Sequence, residues 1–269
     1  MLNMIVSGAA GRMGSRIIAL SKDVKDIKLS GALENKNHKD IGKDIGEVIG
    51  IGTTGIKLTD SIRDITGKAD VLIDFSSTSA TIECLKTLSE KPLPVVIGTT
   101  GFSKDEIGHI NLYAQKVPCV LAPNMSVGVN LLLKVLADIA RTTGDEYDVE
   151  IVEAHHRLKK DAPSGTAMKM AQVIASALNR NLDDTAVYAR HGLIGERTQK
   201  EIGIQTVRAG DIVGEHTVIF GTPGERIEIT HKASSRDTFA RGALKAALWV
   251  YKQTPGLYDM QDVLGLKQL

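Results

Sequence analysis

The sequence predicts an α/β protein in two parts. A parallel sheet covered by helices on both faces comes first, and an α+β domain with a mixed sheet follows. Three observations predict it. Short strands that are apolar throughout alternate with helical stretches over the first half, the mark of a sheet buried on both faces. Beyond Asn124 the pattern changes to period-two alternation, as expected of a sheet with one wetter face. A last amphipathic helix near the C-terminus is placed to fold back onto the first part.

The elements follow in order. "MIV" (Met4–Val6), "LSGAL" (Leu29–Leu33), "VLIDF" (Val71–Phe75), "PVVIG" (Pro94–Gly98) and "CVLAP" (Cys119–Pro123) are the expected parallel strands. Between the last two lies a helix from Ser103, where Ser103 and Glu106 have capping-box spacing. "SVGVNLLLKVLADIAR" repeats its apolar residues at helical spacing and predicts a long buried helix. "DVEIVEAHH" is a strand, a polar loop and a helix from Ser164 follow, and then "EIGIQTVRAG", "GEHTVIFG" and "RIEITHKA" complete the second sheet. "DTFARGALKAALWVY" is the returning helix.

Composition narrows the function. A formal charge of +1 gives no electrostatic argument for nucleic acid or an anionic membrane. No apolar run approaches the ~20 residues that span a bilayer, and the N-terminus lacks a signal-peptide pattern, so a cytoplasmic protein is expected. Two cysteines, Cys84 and Cys119, build neither a disulfide framework nor a thiolate metal site. No metal is expected, because His155 and His156 have no acid at ligand spacing.

"SGAAGRMG" (Ser7–Gly14) follows the first strand and opens a helix. Such a turn is either a tight strand-to-helix connection or a seat for a pyrophosphate at a helix N-terminus. Glu34, twenty positions beyond Gly14, favours the second, since an acid there accepts hydrogen bonds from an adenosine ribose. It would also repel a 2′-phosphate, which favours NADH over NADPH, although Lys36 offers a nearby cation. "GTTG" (Gly98–Gly101) and "APNMSVG" (Ala122–Gly128) are further small-residue strand ends on the expected ligand side.

The densest chemistry is in "EAHHRLKKDAPSGTA" (Glu153–Ala167). Clustered cations lower one another's proton affinity and make a His or Lys a usable acid near neutral pH. The Ser164–Thr166 helix start offers free N–H groups and hydroxyls to a carboxylate, or is plainly N-capped, and both readings are compatible. An anion cradle beside protonated acids, joined to a dinucleotide domain, points to hydride transfer to a small anionic substrate. A thiol-dependent semialdehyde dehydrogenase, an imine dehydrogenase and a non-catalytic dinucleotide sensor are the alternatives.

"GAAGRMG", "IGTTGF", "APNMSVGVN", "EAHHRLKKDAPSGTA", "RAGDIVGEHTV" and "ITHKASSRDTFARGALKAA" occur in this order. Together they make the whole chain resemble the 4-hydroxy-tetrahydrodipicolinate (dihydrodipicolinate) reductases. The resemblance implies a Rossmann-like dinucleotide-binding domain of residues 1–125 with 237–269. It implies a substrate-binding and oligomerisation domain of residues 126–236, in a cytoplasmic homotetramer. It implies reduction of a small cyclic dicarboxylate with NADH or NADPH. His155 and Lys159 take the catalytic proton-transfer positions, and His156, Ser164, Gly165 and Thr166 those that grip substrate. Gly8, Ala9, Ala10, Gly11, Arg12, Met13, Glu34, Gly98, Thr99, Thr100, Ala122, Pro123, Asn124 and Met125 take the cofactor-binding positions. Members that use NADPH well often carry Arg directly after the ribose-binding acid, whereas this chain has Asn35.

Overall fold

The computed structural model describes residues 1–268, which divide into two compact units, 1–127 with 236–268 and 128–235. The first unit begins β1 (Leu2–Ser7), α1 (Arg12–Ser21), β2 (Ile27–Leu33), α2 (Ile45–Val48), β3 (Leu58–Thr59) and β4 (Val71–Asp74). It continues α3 (Thr78–Leu88), β5 (Val95–Ile97), α4 (Lys104–Ala114) and β6 (Pro118–Leu121). The second unit holds α5 (Val127–Thr143, from Gly128 on), β7 (Asp148–His155), α6 (Gly165–Ala177), α7 (Leu182–Thr185) and β8 (Ala186–Tyr188). β9 (Ile202–Arg208), β10 (Gly214–Thr222) and β11 (Glu225–Ala233) complete it. The chain then returns to the first unit with α8 (Asp237–Val250), β12 (Gly256–Tyr258) and α9 (Met260–Val263).

The seven strands of the first unit pair in parallel in the order β12-β6-β5-β4-β1-β2-β3. β4 and the strand after it are buried along their whole length, because helices cover both faces. One core cluster joins Ile17 and Ile18 of α1 to Ala240, Ala243, Leu244 and Ala247 of α8 across the sheet residues Met4 and Val6. A second lies under α3 and α4 around Leu72, Leu85, Val95 and Ile110. Ser103 and Glu106 make the expected reciprocal cap of α4.

The five-stranded sheet of the second unit runs β11-β10-β7-β9-β8. β7 is antiparallel to β10 and parallel to β9, so the sheet is mixed. Alternation along β7 buries Val149, Ile151, Glu153 and His155 on one face. Val149 and Ile151 pack with Ala167, Met170, Ala171 and Ile174 of α6. The core face therefore runs straight into polar residues at the strand's C-terminal end.

Three strands have no counterpart in the sequence reading: β3, β8 and β12. Each has two or three residues, too few to show a period. β2 stops at Leu33, so Glu34 stands just beyond the strand rather than in it.

Candidate active site

β1 is the switch point of the parallel sheet, with β2 on one side and β4 on the other, and the crevice outside their C-terminal ends is where such sheets bind ligands. Gly8 sits there at φ +71°, a conformation that disfavours side chains, and a Cβ on it would strike the Phe75 carbonyl. A Cβ on Gly14 would collide with the Gly8 carbonyl, so glycine is what lets α1 pack against the turn. Gly11 is the N-cap of α1 and no side chain caps it. The helix start therefore keeps its N–H groups and positive dipole end for an anion. The Glu34 carboxylate lies against this turn, with Oε2 accepting from the Ala10 N–H at 3.1 Å and Oε1 from the Asn35 N–H at 2.9 Å. Small residues, an open helix start and an acid at the second strand end fit a dinucleotide.

The other cofactor positions are less uniform. Thr99 is buried and its hydroxyl donates to Asp74 at 2.9 Å while accepting from the Ser76 N–H at 3.0 Å. It ties β4 to β5, and its neighbour Thr100 is the exposed one. Gly98 faces the Phe75 ring, which a Cβ would overlap. Ala122 and Met125 are buried, Pro123 and Arg12 exposed, and the Asn124 side chain accepts from the Ser126 N–H at 2.9 Å.

In the second unit the expected loop surrounds a group that the sequence reading passed over. Glu153 is completely buried. His155, two residues on and on the same face, meets its Oε2 through Nδ1 at 2.6 Å. Arg208, beside His155 in the β7–β9 register, grips both carboxylate oxygens at 2.8 Å. The Ser164 N–H (3.0 Å) and the Thr206 hydroxyl (3.3 Å) also donate to Glu153 Oε1. Burial opposes the charge on Glu153, but the hydrogen bonds from Arg208, His155 and Ser164 outweigh it and hold the carboxyl below its usual range.

His155 thus has a buried carboxylate as its hydrogen-bond partner. Its proton affinity is lowered, first by burial and only last by the nearby cations Lys159 and Arg208, while Glu153 pulls the other way. His216 of β10, opposite Glu153 in register, stands edge-on to His155 with ring centres 5.2 Å apart. Burial pushes His216 down to about 4, so it stays neutral. A Cβ on Gly214 would lie 3.1 Å from His155 Nε2, so glycine leaves room at the outer ring nitrogen.

Lys159 pairs with Asp161 at 2.9 Å. His156 is half-buried in the turn after β7, and Arg157 and Lys160 are exposed. Ser164 caps α6: its hydroxyl accepts from the Ala167 N–H at 3.2 Å and meets His216 Nε2 at 3.1 Å. With its own N–H on Glu153, Ser164 both caps α6 and ties the helix start to β7 and β10. Gly165 and Thr166 begin the helix proper, and Gly165 is exposed.

Neither cysteine suits nucleophilic work. Both are buried, and burial pushes each thiol up to about 12. No helix among the described residues is long and apolar enough to cross a membrane.

Two family models match: "Dihydrodipicolinate reductase, N-terminus" over residues 2–125 and "Dihydrodipicolinate reductase, C-terminus" over residues 128–264. A protein of Syntrophus aciditrophicus (strain SB) named 4-hydroxy-tetrahydrodipicolinate reductase is 58% identical over 267 residues, covering 99% of this chain and 100% of its own. A protein of the same name from Syntrophobacter fumaroxidans is 55% identical with the same coverage. Among solved structures, a dipicolinate-bound dihydrodipicolinate reductase from Paenisporosarcina sp. TG-14 superposes with a TM-score of 0.76. It is 26% identical and the match covers 97% of this chain and 98% of that one.

Proposed function

Because the chain belongs to the dihydrodipicolinate reductase family, we propose how its own residues carry out the family's reaction. The activity is NAD(P)H-dependent reduction of 4-hydroxy-tetrahydrodipicolinate to tetrahydrodipicolinate in lysine and diaminopimelate biosynthesis. The observation that carries the residue assignment is the end of β7, where His155 lies beside a helix start and Lys159 in one short segment.

The N–H groups of Gly165 and Thr166 at the start of α6 receive one substrate carboxylate, and Lys159 and His156 hold the other. This matches the chemistry of dipicolinate, the planar dicarboxylate bound to the Paenisporosarcina relative. When bound, the reduced dinucleotide supplies the hydride. The proton that completes the reduction comes from His155 Nε2 or Lys159 Nζ. Negative charge arriving with the substrate favours the protonated form of His155 and offsets the effect of its burial. Lys159→Ala is expected to lower kcat and raise KM together, because it removes both a cation for binding and a proton source. A change confined to KM in steady-state kinetics would reduce Lys159 to a binding group.

For the cofactor, residues 1–125 with 237–269 serve as the binding unit and NADH is the preferred form. Glu34 at the α1 turn supports this, since it would accept from both ribose hydroxyls and repel a 2′-phosphate. Glu34→Ala is expected to weaken NADH more than NADPH. Equal losses in isothermal titrations of the two would remove Glu34 from the ribose site.

Residues 126–236 hold substrate and assemble a cytoplasmic homotetramer. The face of the second sheet away from α6 supports assembly, with Val152 and Ile219 half-buried and Val207 43% exposed.

A further inference from the structure

We infer that Glu153, held by Arg208, is a positioning residue: it fixes His155 as the Nδ1–H tautomer and so leaves Nε2 as the only ring nitrogen free to exchange a proton with substrate. The inference rests on the proton-donor reading of His155 and deepens it.

The two oxygens of Glu153 are not equivalent. Oε1 accepts from Arg208 Nη2, the Ser164 N–H and the Thr206 hydroxyl. Oε2 accepts from Arg208 Nη1 and faces His155 Nδ1. An ionised carboxylate has no proton to give. The 2.6 Å contact therefore requires a proton on Nδ1, and a neutral His155 then carries its lone pair on Nε2.

A second contact holds the ring in that orientation. His216 stands against it at an interplanar angle of 77° and is itself tied to the Ser164 hydroxyl. Gly214 of β10, where a Cβ would lie 3.1 Å from Nε2, leaves room beside that nitrogen. The charged and titratable groups around the ring are Glu153 of the same strand, Arg208 of β9, His216 of β10 and Lys159 of the following loop.

Glu153→Gln tests the idea, because the amide nearly preserves shape while making one position a donor. The three donors at Oε1 keep the amide oxygen there. The NH₂ is left at the Oε2 position, where it forfeits the bond from Arg208 Nη1 and faces Nδ1, to which it can bond only if that nitrogen is unprotonated. The substitution therefore turns the tautomer over and puts the proton on Nε2.

The experiment is imidazole ¹⁵N NMR of His155 in wild type and in Glu153→Gln, with steady-state kinetics and a kcat–pH profile for both. Expected are an Nδ1–H tautomer in wild type, an Nε2–H tautomer in the variant and a kcat loss of ~100-fold, as for removal of a group that orients a functional histidine. The kcat profile should move to lower pH, since the variant loses a carboxylate that favours protonated His155. A wild-type Nε2–H tautomer overturns the inference, as does an unchanged kcat in the variant. If the variant does not fold, the wild-type tautomer alone decides. His155→Gln with full activity would instead sink the proton-donor reading, whatever tautomer is found.

Discussion

His155→Gln is expected to lower kcat by about 10²- to 10⁴-fold, the range in which a positioned general acid contributes. KM should stay close to its wild-type value. Glutamine reaches a similar distance and keeps hydrogen-bonding capacity, so the walls of the site survive. It cannot ionise near neutral pH, so the proton transfer loses its carrier. The substrate carboxylates would still meet the N–H groups at the start of α6, which do not depend on residue 155. A loss in kcat with KM preserved is the signature of an interaction made mainly in the transition state. Wild-type kcat in the variant, measured at saturating substrate and cofactor, would leave Lys159 as the proton source.

Arg208→Met is expected to cost about 3 kcal/mol of folding stability, the low end for breaking a buried ion pair since Arg208 is partly exposed. Glu153 has no water to fall back on, because it is fully buried. Methionine fills much of the volume and removes two charge-assisted hydrogen bonds at 2.8 Å. The sign of the pH effect follows from the lowered proton affinity of Glu153 in the folded state. In wild type its contribution is present above the ordinary carboxylate range and is lost as pH falls through the lowered folded value. In the variant, burial dominates and raises the folded value, so acidification relieves an unpaired charge. The stability gap between the two proteins in urea unfolding should therefore narrow from pH 7 to pH 4. A constant gap would mean that Glu153 is not charged in the folded wild-type protein.

Most of the parallel sheet is legible from sequence because strands such as Val71–Asp74 are buried on both faces and so read as unbroken apolar runs. β12 is not, since Gly256–Tyr258 joins the sheet only through its pairing with β6. The site divides the same way. His155, Lys159 and the start of α6 lie in one contiguous stretch, and their chemistry is visible from residue types. Glu153 is one acid among several in its strand, and its residue type alone assigns it no role. Counting in twos from Val149 and Ile151 places it on the buried face, where a carboxylate requires partners. The partners that come from another strand, Arg208 and Thr206, stand on β9, while His216 of β10 packs against His155, and the pairings that align these strands with β7 are properties of the folded sheet.

The return of the chain to its first unit means that the order of synthesis is not the order of assembly. Ala240, Ala243, Leu244 and Ala247 belong to the same core as Ile17 and Ile18, yet over two hundred residues separate them in the chain. A ribosome that has released the glycine turn and every strand from β1 to β6 has still not released the helix that seals them. The second unit is one continuous segment and has all its core residues available earlier. Vectorial folding should therefore begin in the middle of this protein, and the first unit should be the last part to become resistant to protease.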